Sequence, residues 1–406
     1  MNPSRLLESY NLILIRYTGE IWLKSQKVKM RMIHILVNNI KRMLEKKEVA
    51  YTKYQITNDA TRILFFFKHK DIAKAIRIIK KVFGVYSLSP ALRTSNRIKN
   101  ISDRAIEIGN KILDRNDSFA LRVKRSGKHD FTSQDVAKKV GQDVIDNFSE
   151  LGLSVDLSNP DKKIFIEVRN EFSYLFTDII ETPWEGLPIE YKKKVGVMDV
   201  GRQSDLLAGF MLMRRGCEIY PVLFDLKGDI KTKNIWISNW REVFDFTPFS
   251  KFTLRIVDLL PILDKLKSKL DKKEYFCALC RIIRFKIFKG LMDDSIRGLE
   301  EIQGFTDGLN FNGLNVCTDL IDLESLVFND LFSDLPVFTP LIGFEEKEIS
   351  DFLDNISESM SKIEYCTYKP KTQEIDIETV KKIFNTLQLE ELIQEAIENV
   401  KDMVLS

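Results

Sequence analysis

Apolar positions along the chain change period several times, and each change predicts an element. Residues 11–16 form a short apolar run that ends before Gly19, the pattern of a buried strand. Over residues 27–47, Val28, Met32, Ile35, Leu36, Ile40 and Met43 recur at helical spacing. Lys27, Lys29, Arg31, Lys41 and Arg42 occupy the other faces. Asn58-Asp59 is a turn signal, and Arg62 to Lys68 reads as a second apolar strand. Residues 71–82 predict a helix stopped by Gly84. Strand, helix, strand, helix is the plan of a small α/β layer unit.

A second unit follows. Phe119 to Lys124 alternates as a strand does, and Thr132 or Ser133 is placed to cap a helix running through Val144. Val155 to Leu157 and Ile164 to Val168 read as strands around the turn residues 158–161, and Tyr174 to Ile180 as another. The turn-rich segment 181–188 (ETPWEGLP) reads as a linker. Beyond it, Lys194 to Met198 predicts a strand feeding a turn at Gly201. Leu206 to Arg215 predicts a helix and Ile219 to Phe224 a strand, together a βαβ pattern and hence a parallel, doubly wound sheet. Residues 376–401 read as one terminal amphipathic helix.

Composition narrows the class. The 406 residues are 44% apolar and 30% charged, with no internal repeat or low-complexity tract, so the chain is globular and long enough for more than one domain. Five cysteines are too few for a disulfide scaffold, which points to a reducing, cytoplasmic setting. No apolar run reaches the ~20 residues that span a bilayer, so no membrane partner is expected. Charge adds an asymmetry. Residues 293–360 hold 16 Asp and Glu against Arg297 and Lys347 alone, a sum of −14, so the remainder carries +17. Such a split suggests a polyanion for the basic part, with nucleic-acid phosphate the usual candidate. Solvated helix faces would produce the same count.

Three clusters carry candidate chemistry. The turn Val200-Gly201-Arg202-Gln203-Ser204-Asp205 sits where a βαβ unit binds phosphate, although it holds a single glycine. From these residues alone, an ordinary strand-to-helix turn capped by Ser204 or Asp205 is the favoured reading. Cys277-Ala278-Leu279-Cys280 has the spacing at which two thiolates meet one metal or form a redox pair, and Cys217, Cys317 and Cys366 are the other sulfurs. Two cysteines on a helix, one of them buried, is the structural alternative. The loop 124–129 (KRSGKH) is compactly basic before a helix start, suited to a phosphate backbone or to plain solvation. The scattered His34, His69 and His129 support neither a metal cluster nor a triad.

Longer motifs go further. Arg16 to Ser25 (RYTGEIWLKS), Val82 to Pro90 (VFGVYSLSP), Arg122 to His129 with Thr132-Ser133-Gln134, and Val155 to Pro160 (VDLSNP) stand in order. Gly186-Leu187-Pro188, Asp334 to Gly343 (DLPVFTPLIG) and Glu364-Tyr365-Cys366 follow them. The set resembles the tRNA 4-thiouridine synthetase (ThiI) family, most closely its archaeal type. The resemblance implies an α/β chain with three domains: a ferredoxin-like domain (1–70), a THUMP domain (71–181) and, after a linker (182–193), a Rossmann-like PP-loop ATP pyrophosphatase domain (194–406). It implies a tRNA partner met by Lys24, Arg122, Lys124, Arg125, Lys128 and His129, and a homodimer. It implies ATP–Mg²⁺ at Gly201, Arg202, Ser204 and Asp205. An iron–sulfur cluster would sit at Cys277 and Cys280 with Cys366 as third ligand, Cys366 also being the counterpart of a sulfur-transfer cysteine.

The chain departs from that family at its catalytic loop. Where active members read SGGxDS, this chain has Val200 for the first serine, Arg202 for the second glycine and Ser204 for the aspartate, with Asp205 one place later. The family's TGxSLGQxASQ is replaced by Gly304 to Asn310 (GFTDGLN), while the flanks around 194–195 and 208–216 are kept. The expectation is a tRNA-binding member with an eroded ATP site, acting in recognition or as an accessory. The acidic stretch would face a sulfur donor or other partner protein. The alternative is an active sulfurtransferase working through Cys277, Cys280 and Cys366.

Overall fold

The computed structural model describes residues 7, 9–293, 298–310, 333–363, 366, 368 and 376–406. The expectations that fall on Arg297, Cys317, Glu364 and Tyr365 lie outside the described residues. The chain divides into two compact units, residues 1–186 and 187–406.

The first unit opens with β1 (Leu12–Tyr17), α1 (Gly19–Trp22) and α2 (Gln26–Lys46), followed by β2 (Lys53–Ile56), β3 (Ile63–Phe66), α3 (Ile72–Ile79) and β4 (Val85–Ser95). It continues with α4 (Ile98–Ile112), β5 (Ser118–Arg125), α5 (Ser133–Asn147), β6 (Ser154–Val155), β7 (Lys162–Val168), β8 (Phe172–Phe176) and β9 (Ile180–Glu181). β1 is apolar throughout and lies between β3 and β4, antiparallel to both. The long β4 pairs with β1 through its first half and with β8 through Leu92–Ser95. One described sheet, ordered β2-β3-β1-β4-β8-β7-β5-β6, therefore runs through both the ferredoxin-like and THUMP halves. Helix α5 begins at the expected place: Thr132 accepts from the Asp135 N–H, and Asp135 returns the bond, forming a capping box.

A buried ionic hub pins the centre of this sheet. Glu167 of β7 receives Arg16 of β1 at 2.7 Å, Arg62 at 3.0 Å and Arg169 at 2.8 Å. Burial works to raise its carboxyl, but Arg16 and Arg62 overcome that and hold it at about 2.

The second unit holds β10 (Glu190–Asp199), α6 (Gln203–Arg214), β11 (Cys217–Asp225), α7 (Ile230–Phe244), β12 (Phe252–Asp258), α8 (Leu260–Lys269) and α9 (Phe276–Asp293). Then come β13 (Phe305–Thr306), β14 (Val337–Phe338), α10 (Glu346–Ile356), α11 (Ile377–Thr386), α12 (Glu390–Glu398) and β15 (Lys401–Leu405). The described sheet is ordered β14-β13-β10-β11-β12-β15, parallel except for the edge strand β15. This is the expected doubly wound plan. Helix α9 is buried on nearly every face, as its apolar composition requires.

The terminal segment corrects the sequence reading. It is two helices and a strand, not one helix over 376–401. The break falls at Gln388, whose φ of +49° lies in the left-handed region and cannot continue a right-handed helix. The apolar period runs on across the break because Val380, Leu387, Leu389 and Ile397 enter one core.

Candidate nucleotide loop and basic surface

The parallel strands β10, β11 and β12 end in Asp199, Asp225 and Asp258, on the edge where doubly wound sheets receive ligands. Each aspartate turns back to a backbone N–H just beyond its strand: Asp199 to Gly201 at 2.6 Å, Asp225 to Gly228 at 2.8 Å and Asp258 to Leu260 at 3.0 Å.

At the loop itself, several donors that could cradle a phosphate are already engaged. Gly201 adopts a φ of +91°, open to glycine at little cost, and its N–H is bound to Asp199. The Val200 N–H donates to Asp205 at 3.1 Å, and so does Gly308 at 2.8 Å. Arg202 forks onto the same carboxylate, Nε at 3.0 Å and Nη2 at 2.5 Å. Asp205 is fully buried and Arg202 nearly so. Helix α6 thus starts at Gln203 with neither Ser204 nor Asp205 as its cap; Asp205 binds back into the loop instead. The replacement stretch packs down on the helix start. A Cβ on Gly308 would stand 2.4 Å from the Asp205 nitrogen, so only glycine brings this N–H to the carboxylate.

Beneath the loop, Asp199 accepts the indole N–H of Trp236 at 2.5 Å and of Trp240 at 2.7 Å. Burial, then the neighbouring Asp205, pushes its carboxyl up to about 7, against the pull of these donors. The cavity over the loop is lined by Gly201, Arg202, Trp236, Leu353, Met360 and Ile363 and measures about 10 Å³. That is room for about one water. The segment carrying Met360 and Ile363 is tied down by Asn239, which donates to the Ser361 carbonyl at 2.8 Å and accepts its N–H at 3.0 Å.

Cys277 and Cys280 both lie buried in the opening turns of α9. Cys366 packs, half-buried, against the core cluster that includes Cys280, and Tyr368 stacks on Phe276 with ring centroids 5.7 Å apart. Among the described residues no three His, Cys, Asp or Glu are grouped to hold a metal ion, so this donor set does not fit a three-ligand cluster site. The same helix carries two arginines that the sequence reading passed over. Arg281 pairs with buried Asp307, and Arg284, 1% exposed, leaves all three guanidinium nitrogens without a hydrogen-bond partner. Two arginines three apart within a strongly apolar stretch, residues 276–285, were the available signal. Asp199, Asp307 and the tryptophans under the loop were also missed.

In the first unit Lys124, Arg125 and Lys128 are exposed, with Arg122 and His129 half-buried beside them, on the end of β5 and the loop that follows. Arg122 is steadied by the Leu157 carbonyl at 2.5 Å and Arg125 by that of Gly127 at 3.0 Å. Lys24, also exposed, stands in a different place, after α1. His34 and His69 bond backbone carbonyls and are structural.

A continuous sheet through the first unit and a doubly wound, mostly parallel sheet in the second define a two-unit α/β protein. Comparison with known proteins agrees. Residues 12–89 match the ThiI ferredoxin-like domain, residues 96–178 the THUMP domain, and residues 195–389 the profile described as thiamine biosynthesis protein (ThiI). A probable tRNA sulfurtransferase of Saccharolobus islandicus (strain M.16.4 / Kamchatka #3) is 30% identical over 368 residues, covering 89% of this chain and 91% of that one. One from Methanobrevibacter smithii is 28% identical, covering 97% and 100%. Among solved structures, a 4-thiouridine synthetase–RNA complex with bound ATP aligns with a TM-score of 0.76 at 21% identity, over 98% and 100% of the two chains. A Pyrococcus horikoshii protein aligns with a TM-score of 0.62 at 23% identity, over 85% and 99%. The chain belongs to the ThiI family of tRNA sulfurtransferases, with its ferredoxin-like, THUMP and PP-loop-type domains. Among the described residues no helix is long and apolar enough to cross a membrane.

Proposed function

We propose that this chain binds tRNA through its first unit and serves tRNA 4-thiouridine formation as a recognition or accessory member that does not itself turn over ATP. The observation that carries this reading is the loop. Its Val200 and Gly201 N–H groups and the facing Gly308 N–H are spent on Asp199 and Asp205, Arg202 is locked to Asp205, and about 10 Å³ remains above. A triphosphate would have to displace two buried carboxylates and break a buried ion pair. The basic end of β5 and its loop supports the RNA half of the reading, together with the RNA carried by the structural neighbour.

A second reading, an active sulfurtransferase, is favoured by one observation: Cys366 reaches the cluster around Cys280. Titration calorimetry separates the two. The purified chain should give no heat with ATP–Mg²⁺ yet bind unmodified tRNA transcript with a steep salt dependence. Lys124→Ala with Arg125→Ala should lower the log–log salt slope by about 2. Micromolar ATP binding, or ATP-dependent thiolation lost in Cys277→Ala, would overturn the first reading in favour of the second.

A further inference from the structure

Residues 1–100 carry 21 Lys and Arg against 6 Asp and Glu, and no acid stands between Glu20 and Glu45. In that acid-free stretch the chain exposes two large apolar side chains in succession: Trp22, 51% exposed, and Leu23, 84% exposed. Isolated exposed apolar residues are ordinary, but this pair is held rigidly. Ile21 is fully buried beneath it. The Leu23 N–H donates to the Gly19 carbonyl at 3.0 Å and the Lys24 N–H to the Ile21 carbonyl at 3.3 Å. The turn is rooted by Thr18, whose N–H binds Gly84 and whose hydroxyl binds the Gly186 carbonyl at 3.0 Å. The Lys29 ammonium sits 4.6 Å from the Trp22 ring centroid, and the Tyr17 ring lies 6.4 Å away, tilted by 31°. Lys24 and Lys27, both exposed, follow the pair along the chain.

We infer that Trp22 is a stacking platform for an unpaired nucleobase, with Leu23 extending the apolar surface and Lys24 and Lys27 meeting the adjoining phosphates. A base has an apolar face and an anionic tether, and this patch offers an exposed aromatic ring followed by cations, with Glu20 the one acid close to it in sequence. A protein ligand of the same patch would have to be acidic as well as apolar, and nothing else on this turn is shaped for one. The inference rests on the RNA-binding reading above and adds to it a place where single-stranded RNA is met.

The molecule supplies its own reporter. Of its four tryptophans, Trp184, Trp236 and Trp240 are buried, so quencher-accessible emission comes from Trp22. The full chain is titrated with a blunt RNA duplex and with the same duplex carrying a short unpaired tail, by fluorescence and by filter binding. The tailed RNA should quench Trp22 emission and the blunt duplex should not. Trp22→Ala should weaken binding of the tailed RNA by roughly tenfold or more and leave the blunt duplex unchanged. Trp22→Phe should retain most of the affinity without the signal. Equal binding of both RNAs by native chain and Trp22→Ala overturns the platform while leaving RNA binding in place. Failure of the native chain to bind either RNA sinks the underlying reading instead. Unchanged melting temperature in Trp22→Ala assigns any loss to contact, not unfolding.

Discussion

Both units bury clusters of opposite charge, and the two clusters do different work. In the first, Glu167 sits among Arg16, Arg62 and Arg169, three cations on one anion. The bonds tie β7 to β1 and to the turn before β3, so the charges serve the sheet and leave the basic outer surface open. In the second, Asp199, Arg202 and Asp205 converge on the loop after β10, and the two carboxylates take up the Val200, Gly201 and Gly308 N–H groups as well as the Arg202 guanidinium. The difference shows that a buried salt bridge has to be read by what its atoms would otherwise bind. The pair itself contributes little net stability, but what it occupies can decide function.

The comparison can be pressed hardest at Glu167. Glu167→Gln strands three half-buried guanidinium groups around a buried position and should cost about 3 kcal/mol, seen as a large drop in urea midpoint. The native chain should show the matching acid limb. A carboxyl held at about 2 contributes stability that is present above its ordinary range and is lost as pH falls from about 4.5 toward 2.

Next in size, Arg202→Met alone should destabilise by about 3 kcal/mol because Asp205 remains buried and unpaired. Adding Asp205→Asn should recover part of this, with a coupling of about 0.5–3 kcal/mol in the double-mutant cycle. Additive effects would mean that the two side chains are not a unit.

Smallest is Asp199. Its raised carboxyl favours the folded state while protonated, and that advantage fades as pH rises through about 7. Between about pH 6 and pH 8 the native chain should lose about 1.4 kcal/mol that Asp199→Asn does not lose. Parallel pH–stability curves for the two chains would show that Asp199 does not titrate there.

Much of the framework was readable in one dimension. The strands at 11–16, 119–124, 164–168, 194–198 and 219–224 and the helix at 27–47 declare themselves because one face or both are buried at a regular period. The segments β12, α8 and α9 went unread: α9 is buried on nearly every face, its two arginines included, so no one-sided apolar stripe marks it. At the site, the altered residues 200–205 were visible as a motif that had changed. The consequence was not, because closure depends on side chains far along the chain. Gly308 and Asp205 are 103 positions apart, and Asn239 and Ser361 are 122 apart. The spacing of Cys277 and Cys280 left a metal or redox pair and a half-buried helical pair both open, since spacing says nothing of what covers a helix; both cysteines are buried.

The bidentate grip of Arg202 on Asp205 also bears on how such a chain can change over time. Restoring glycine at 202 leaves a buried carboxylate without its cation, and restoring serine at 205 leaves a buried guanidinium without its anion, each a loss of several kcal/mol. Neither residue can therefore be exchanged alone without a less stable chain, whereas exchanging both removes the two charges together. The pair acts as a two-key lock on the form of the loop.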